Sequence, residues 1–517
     1  MLYSAGDGDA DGSAEMKAAV IGSGVGGLTA AAVLAQAGHE VTVYEQWPHV
    51  GGVTATLERD GFRWDLGPLL IAGLAASEPV GRILAALGVS ERVHLIRGDR
   101  VYVFPDFRVE IPDRYQGPLW RRERLKEIFP AESRNLDRYF RFHNRMTRVM
   151  DLAARAEWSS TARALILRAR LFAELLPLWS KRAWSAQRIM DHFFRSERLQ
   201  AVFISILADF VVRPHEFPGL GIPAVNPEAV YDKRVPLAAP GAGQSHHYIA
   251  GGCERLIDAL AQVVAAGGGR IRTSCSVRRV AIEAGVVRGV VTDQVEAADM
   301  VFISGGAREA FTQLVGSEHL TADFTAKVSD LPLMESVLMV HLGIDFDPRP
   351  RQPHPLYYYY GTYDIEAGVA DCRSGNYHEG RDGFLIYVPS LHSPGMAPPG
   401  CHAVTIYTVA PNRLRDGTWS ERREELADKL VAAAEKFVPG LAAGTKVRVI
   451  LTPEDFKART FLAHHSFGGV APVLGKPGIP HRTPVRGLWF VGSQSESGAG
   501  VGNVVQGAWR AARAALR

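Results

Sequence analysis

The stretch from Lys17 to Gly67 constrains the fold more than any other part of the chain. It opens with a short apolar run, Ala18–Ile21, which is typical of a buried parallel strand. A glycine-rich turn follows, then an alanine-rich helix, Leu28–Ala37, and a second strand, Glu40–Tyr44. This order of strand, glycine turn, helix and strand predicts the start of a Rossmann-type α/β domain.

The turn has the spacing G-x-G-x-x-G, which suits a dinucleotide. The first glycine permits a tight turn, the second lets the backbone approach a pyrophosphate, and the third lets the helix pack against the strand. The N-terminus of the helix offers unpaired N–H groups and a positive dipole end to phosphate. An acidic residue ends the second strand, where it can accept hydrogen bonds from a ribose. We therefore predict a dinucleotide site built by Gly22, Gly24, Gly26, Gly27 and Glu45.

Composition limits the class of protein. The chain has 517 residues, 47% of them hydrophobic, which is enough for two interleaved domains. The net charge is +3 and the basic residues form no recognition motif, so we expect no nucleic-acid partner. The four cysteines lack metal spacing and fit a reducing compartment. Residues 1–16 are predicted to be a disordered leader, and no apolar run approaches a membrane span, so we expect a cytoplasmic protein or one on a membrane surface.

Three separated segments predict one discontinuous nucleotide-binding domain: residues 17–95, 245–328 and 461–517. Between them lie residues 96–244, which read as mostly helical, and residues 329–460. The second of these insertions has predicted strands at Ser336–Leu342, Leu356–Tyr360 and Phe384–Val388. A chain interleaved in this way predicts two composite domains with a ligand cleft between them.

From Lys17 onward the order of blocks resembles the phytoene desaturase and carotenoid isomerase family of FAD-dependent oxidoreductases, within the amine oxidase-like flavoprotein superfamily. The resemblance rests on the glycine block, Gly22–Gly52, and on the segments Glu58–Pro68, Gly251–Ser304, Pro389–Thr408 and Thr452–Gly492. It implies an α/β fold in which a Rossmann-type FAD-binding domain is interleaved with a substrate domain of mixed sheet plus helical lid. It also implies a long, apolar, alkene-type substrate.

The same resemblance selects FAD over NAD. A second glycine pair follows the acidic residue, and a strand, glycine turn and helix close the chain, as in these families. No second strand–GxGxxG–helix unit is present for a separate nicotinamide domain. The resemblance adds cofactor contacts at Gly51, Gly52, Val277, Gly492, Ser493, Gly500 and Val501, with Val277 touching the adenine through its backbone.

Three positions depart from the family pattern. Val53 stands where many relatives carry an arginine after the glycine pair, and Ser493 stands where many carry an aspartate. Other groups must therefore supply the lost charges. Glu496 lies in the loop that passes beside the flavin, as the resemblance implies. It is either a proton acceptor whose pKa is raised by burial or a solvated loop residue.

Two further patterns leave alternatives open. The pairs His246–His247 and His464–His465 predict no metal site, because adjacent strand residues point to opposite faces. The segment Ala162–Arg182 interleaves large apolar residues with five basic ones. It is either a helix lying in a lipid headgroup layer or an amphipathic lid helix packed on the domain.

The sequence thus predicts an FAD-dependent oxidoreductase that desaturates, isomerises or saturates C=C bonds of an isoprenoid or polyene by hydride transfer with the flavin. This hypothesis gives the protein a place in carotenoid biosynthesis or similar isoprenoid chemistry. One rival is a flavin amine oxidase, and a second is a flavin-binding protein without catalysis. The sequence leaves the substrate, the electron acceptor and the oligomeric state open.

Overall fold

The computed structural model describes residues 15–98, 100–110, 119–227 and 245–517. Most of the predicted leader, residues 1–14, lies outside the described residues. Its last residue, Met16, already belongs to the fold, because its carbonyl oxygen accepts a hydrogen bond of 3.1 Å from the Glu40 N–H.

Helices and strands alternate along most of the described chain. The α-helices are α1 (Val25–Gln36), α2 (Pro79–Ala86), α3 (Trp120–Ile128), α4 (Ser133–Glu157), α5 (Thr161–Leu175), α6 (Ala186–Phe193), α7 (Glu197–Ile204), α8 (Ile222–Val225), α9 (Glu254–Ala266), α10 (Ala307–Glu309), α11 (Ala322–Ser329), α12 (Ile365–Arg373), α13 (Trp419–Glu435), α14 (Pro453–Thr460) and α15 (Val501–Ala515). The strands are β1 (Lys17–Ile21), β2 (Glu40–Tyr44), β3 (Thr56–Arg59), β4 (Phe62–Asp65), β5 (Ile71–Ala72), β6 (Leu95–Gly98), β7 (Val101–Val103), β8 (Arg108–Val109), β9 (His246–Ile249), β10 (Arg270–Arg272), β11 (Arg279–Glu283), β12 (Val286–Val291), β13 (Val295–Ala297), β14 (Met300–Ser304), β15 (Ser336–Ile344), β16 (Leu356–Tyr360), β17 (Gly383–Tyr387), β18 (His402–Ala410), β19 (Thr445–Leu451) and β20 (Leu488–Val491).

A parallel sheet with the order β10–β2–β1–β14–β20 forms the nucleotide-type unit. Its strands come from all three segments predicted to share a domain, and α1, α9 and α15 pack into one apolar core with it. The helix α1 starts at Val25, three residues before the predicted start, because the glycine turn itself forms its first turn. Gly38, with φ of +84°, follows its end as predicted. The Rossmann-type fold class is confirmed.

A mixed sheet with the order β19–β15–β18–β17–β16–β7–β8 forms the second unit. The predicted strands Ser336–Leu342, Leu356–Tyr360 and Phe384–Val388 correspond to β15, β16 and β17. Strands β7 and β8 come from the insertion predicted to be mostly helical, and β7 pairs with β16 in parallel. The rest of that insertion supplies α3–α8, which pack against one face of the sheet around a core rich in phenylalanine and tyrosine.

Smaller sheets join the two units. Strand β9, which lies after the first insertion, pairs with both β5 and β6 from before it. Strand β6 (Leu95–Gly98) therefore crosses the boundary predicted at residue 95. The strands β11–β12–β13 form a separate antiparallel meander. The division of the chain into FAD-binding and substrate domains stays a prediction.

The close approach of α1 to β1 gives a test of the fold. A Cβ atom at Gly27 would lie 2.0 Å from the carbonyl oxygen of Gly22, so Gly27→Ala must push the helix off the strand. We expect this change to lower the free energy of unfolding by about 2 kcal/mol or more. Gly395→Ala is the control, because a Cβ there meets nothing within 4 Å. Denaturant unfolding of the two variants should show a large loss for the first only, and equal losses would contradict the packing described.

Candidate FAD site and active-site cavity

The first glycine turn tolerates no side chain. Gly22 has φ of +93°, and a Cβ there would lie 2.3 Å from the carbonyl oxygen of Ser304 at the end of β14. The same test at Gly27 places a Cβ against the Gly22 carbonyl oxygen. The backbone of the turn is therefore bare at the N-terminus of α1, where N–H groups are available to an anion.

The second glycine pair lies directly beside the first turn. Gly24 and Gly51 form a parallel bridge, and the Gly51 N–H donates to the Ser23 carbonyl at 3.1 Å. Gly51 and Gly52 both have positive φ values, of +109° and +59°. A Cβ on Gly52 would meet the Cα of Gly24 at 3.7 Å. The structure thus brings the two predicted glycine motifs together into one surface of backbone atoms without side chains.

Glu45 is buried at the end of β2, and its carboxylate is held on both oxygens. Oε2 accepts hydrogen bonds from the N–H and hydroxyl of Ser23 at 2.9 and 2.6 Å, and Oε1 accepts one from the Trp47 N–H at 2.8 Å. The carbonyl of Glu45 accepts from the Cys275 N–H, which brings the segment leading to Val277 alongside β2. The side chain of Val277 is buried in a cluster that includes Tyr44.

The chain returns to this site at its C-terminal end. Gly492, with φ of +109°, ends β20, and its Cα would lie 3.3 Å from a Cβ built on Gly26. Ser493 follows it, and its carbonyl accepts from the Val470 N–H at 3.1 Å. Gly500 and Val501 begin α15, whose Val504 contacts the Gly26 position. Gly492 therefore lies beside the first glycine turn, 470 positions along the chain from Gly22.

Glu496 does not occupy the environment that the proton-acceptor hypothesis expected. Its side chain is exposed, and its carboxylate accepts a hydrogen bond of 2.9 Å from the His481 N–H. Of the two alternatives that the sequence left open, the structure agrees with the solvated loop residue. The N–H of Glu496 donates to the carbonyl of Ile479 at 2.7 Å, and the side chain faces solvent. A role for Glu496 in catalysis stays a prediction without a buried site to support it.

These residues fit an FAD molecule. A pyrophosphate needs close backbone approach and N–H donors, which the bare glycines and the start of α1 offer. A ribose needs an acceptor at the end of β2, where Glu45 lies. Within the part of the chain that the structure describes, no group of three or more His, Cys, Asp or Glu side chains could hold a metal ion.

A second site, which sequence reasoning missed, is a small, partly open cavity of about 50 Å³. It lies between the 3₁₀ turn after α7, the helix α12 and the seven-stranded sheet. Most of its lining is aromatic or aliphatic, with a few carboxyl groups and one histidine. The lining includes Asp209, Tyr358, Tyr360, Ile365, Val369, His378, Asp382, Phe384, Leu385, Tyr407 and Val409.

Asp209 is the distinctive polar group of this cavity. Burial raises the pKa of its carboxyl to about 7, although a hydrogen bond from the Tyr358 hydroxyl and the charge of Arg100 act in the opposite direction. The Arg100 guanidinium lies 5.9 Å from the centre of the Tyr358 ring. A carboxyl with a pKa near neutrality can both take up and release a proton under physiological conditions. No short motif marks Asp209 in the sequence, because its partners come from other segments.

We expect Glu45→Ala to weaken FAD binding by roughly tenfold or more, since charge-assisted hydrogen bonds of this kind contribute about 1.5–3 kcal/mol. The buried hydroxyl of Ser23 also loses the carboxylate to which it donates. Denatured parent protein should release FAD and not FMN. The matched control is Glu40→Ala, on the same strand, whose carboxylate only pairs with Lys17 and Arg270 at the surface. Titration of apoprotein by flavin fluorescence measures both affinities, and an unchanged value for Glu45→Ala removes that residue from the site.

Comparison with known proteins agrees with this geometry. The profile of the family described as flavin containing amine oxidoreductase matches residues 25–516. A mouse protein described as pyridine nucleotide-disulfide oxidoreductase domain-containing protein 2 is 26% identical, with 94% of this chain and 91% of the relative covered. A zeta-carotene-forming phytoene desaturase of Myxococcus xanthus is also 26% identical, with the same shares covered.

Solved structures share the fold. An oxidoreductase from Methanosarcina mazei superposes with a TM-score of 0.62 at 20% identity, covering 96% of this chain and 99% of that one. Putrescine oxidase bound to putrescine superposes with a TM-score of 0.60 at 15% identity, covering 97% and 98%. Because the family profile spans nearly the whole chain, the cofactor is FAD. The protein belongs to the flavin containing amine oxidoreductase family and is an FAD-dependent oxidoreductase of Rossmann-type α/β fold.

Proposed function

We propose that the protein acts on an apolar isoprenoid or polyene substrate and changes its C=C bonds by desaturation, isomerisation or saturation. The observation that carries this proposal is the cavity lined mainly by tyrosine, phenylalanine and aliphatic side chains. Such a lining favours an apolar ligand. Relatives whose names describe phytoene and diapophytoene desaturases cover most of this chain, which supports the same substrate class.

Contacts lead from the cavity to the predicted cofactor site. The ring of Tyr407, in the cavity wall, lies 5.6 Å from the ring of Phe467. Two residues later, Gly469 packs so closely on Ser493 that a Cβ there would lie 2.3 Å from its carbonyl oxygen. A short run of packed residues thus connects the cavity wall with the glycine turn after β20.

In this proposal Asp209 is the proton acceptor. When bound, FAD would supply the acceptor for a hydride leaving one carbon of the substrate. The adjacent carbon loses a proton to the Asp209 carboxylate, and the electron pair of that C–H bond becomes the new π bond. Tyr358 holds the carboxyl in place through its hydroxyl, and the surrounding aromatic rings exclude water.

An amine substrate is the second candidate. Asp209 and Asp382 both line the cavity, and an ammonium group would be attracted to them. Against this, an ammonium beside Asp209 would also meet the positive charge of Arg100. The third possibility, flavin binding without catalysis, predicts no flavin reduction by any compound.

The decisive experiment is anaerobic incubation of the purified holoprotein with a lipid extract, with isoprenoid polyenes, and separately with mono- and diamines. We expect loss of flavin absorbance at about 450 nm with the apolar compounds only, and a product changed by two hydrogens in mass spectrometry, as hydride transfer requires. Reduction by amines alone would replace the proposal with amine oxidation. Absence of reduction in every arm would exclude desaturation and amine oxidation, and the same incubation with reduced flavin then tests saturation and isomerisation, with an unchanged substrate leaving flavin binding without catalysis.

We expect Asp209→Asn to slow flavin reduction by roughly 10²-fold or more, the scale of losing a general base, with normal FAD content. Asp382→Asn, which removes another carboxyl from the same cavity, is the matched control and should retain most of the rate. Rapid-mixing absorbance over a pH series measures both variants. A parental rate and parental pH profile in Asp209→Asn would show that the proton leaves by another route.

The raised pKa of Asp209 also predicts how stability depends on pH. Because the folded-state pKa is near 7 and the unfolded value is about 3.9, the folded protein loses stability as pH rises from about 4 through 7. Asp209→Asn removes this loss, so the variant should gain stability relative to the parent at pH 8 but not at pH 4. Melting temperatures at the two pH values provide the measurement, and a pH-independent difference would contradict the assignment.

We also propose that the protein rests on an anionic lipid surface. Five large apolar side chains of α5 and the turn after it are more than half exposed: Leu165, Ile166, Phe172, Leu176 and Trp179. Basic residues accompany them, at positions 163, 168, 170, 181 and 182. No helix among the described residues is long and apolar enough to cross a bilayer. An exposed apolar surface with cations around it fits adsorption to the headgroup layer.

We expect the protein to sediment with anionic vesicles, less so at high salt, and a variant with Ile166, Phe172 and Trp179 changed to serine to lose this binding without losing FAD. Leu175 and Leu178 are unsuitable targets, since both pack on the helical core. The control is Val295→Ser, an equally exposed apolar residue on β13. Equal sedimentation of the triple variant and the parent would exclude this surface as the lipid contact.

A further inference from the structure

The second glycine pair lacks a positive charge in its own segment. Gly52 is followed by Val53, whose side chain packs with an apolar cluster that includes Tyr248, Leu70 and Phe456. Val53 therefore offers no donor to a bound anion. A pyrophosphate carries about two negative charges, and backbone N–H groups neutralise only part of them.

A guanidinium group from a distant segment occupies the space beside this glycine pair. Arg459 lies in the last turn of α14, and its Nε donates a hydrogen bond of 2.7 Å to the Gly52 carbonyl. The end of α14 is packed against the whole loop from Glu45 to Gly52. The amide of Gln46 donates to the Thr460 carbonyl at 3.3 Å, and the rings of Trp47 and Phe461 meet edge to face at 6.0 Å.

The Arg459 guanidinium forms no direct ion pair among the described residues, although the Glu45 carboxylate lies near enough to act on its charge. The guanidinium stacks 5.7 Å from the centre of the Trp47 ring and forms no ion pair there. Burial lowers the pKa of Arg459, and the nearby Glu45 carboxylate acts against that shift. By contrast, Arg423, which contacts the other end of α14, is paired with Asp455. A part-buried guanidinium without a carboxylate partner retains donors for an anion.

We propose that Arg459 binds the pyrophosphate of FAD and supplies from α14 the charge that Val53 does not supply. The placement supports this role, because Gly52 lies against Gly24, the glycine at which the backbone approaches the pyrophosphate. The hydrogen bond to Gly52 anchors the guanidinium beside that turn and uses only Nε, so the other N–H groups remain as donors. The inference rests on FAD as the cofactor and not on the proposed substrate.

The test separates phosphate recognition from loop stability by comparing two ligands. Full-length protein freed of FAD is titrated with ADP and with adenosine by calorimetry, and with FAD by flavin fluorescence. We expect Arg459→Gln to weaken ADP and FAD binding by roughly 10- to 100-fold, as loss of a charge-assisted hydrogen bond does, and to leave adenosine binding unchanged. The salt dependence of ADP binding should also become weaker.

The matched control is Lys457→Gln, on the same helix, which removes a positive charge whose ammonium donates to the Asn412 carbonyl instead. It should leave ADP binding close to the parent. Arg459→Lys keeps the charge and should restore a large part of the salt dependence, and it decides the question if Arg459→Gln does not fold. Equal losses for ADP and adenosine, or parental ADP affinity in Arg459→Gln, would overturn the proposal and leave Arg459 as a support of the glycine loop only.

Discussion

The rest of the molecule depends on close backbone contacts around the first glycine turn, where glycines leave no side chain between the segments. Gly27 presses α1 onto the carbonyl of Gly22, Gly22 lies against Ser304, and Gly26 lies against Gly492. Three parts of the chain, separated by two long insertions, meet at this point. Any side chain larger than hydrogen at Gly22 or Gly27 would force them apart. The ends of β1, β14 and β20 therefore lie together, which leaves the start of α1 open to a phosphate group.

The seven-stranded sheet supplies one wall of the aromatic cavity that we propose as the substrate site. Its strands come from both insertions, since β7 from the first pairs with β16 from the second. One face of the sheet packs on the long helix α13, and the other meets the helical segment and the nucleotide unit. The aromatic cavity forms on the second face, where Tyr358 and Tyr407 meet Asp209. A carboxyl group in such surroundings is costly to ionise, and this is the physical basis of its raised pKa.

Coupling between the two units runs through α14. This short helix begins with a capping box at Thr452 and Asp455 and ends on the loop of the second glycine pair. The segment that follows carries Phe467 to the cavity wall and Gly469 to the turn after β20. Arg459, which we propose binds the cofactor phosphate, and Phe467, which packs on Tyr407 of the cavity wall, therefore lie on one short segment of the chain.

The sequence by itself determined the nucleotide half of the protein. The spacing of Gly22, Gly24 and Gly27 and the acid at Glu45 are local features, so strand, turn, helix and strand could be read directly, as could the strand before Gly492. The starts of the helices and the β7–β8 hairpin were harder to predict from the sequence, because short apolar runs fit more than one type of secondary structure. The sequence left the environment of Glu496 open between a buried acid and a solvated loop residue, since burial depends on how a loop turns and not on its composition, and the tertiary structure places it in the exposed state. Asp209 and Arg459 emerged only from the tertiary structure, because their partners lie more than a hundred residues away and no local pattern records a contact of that range.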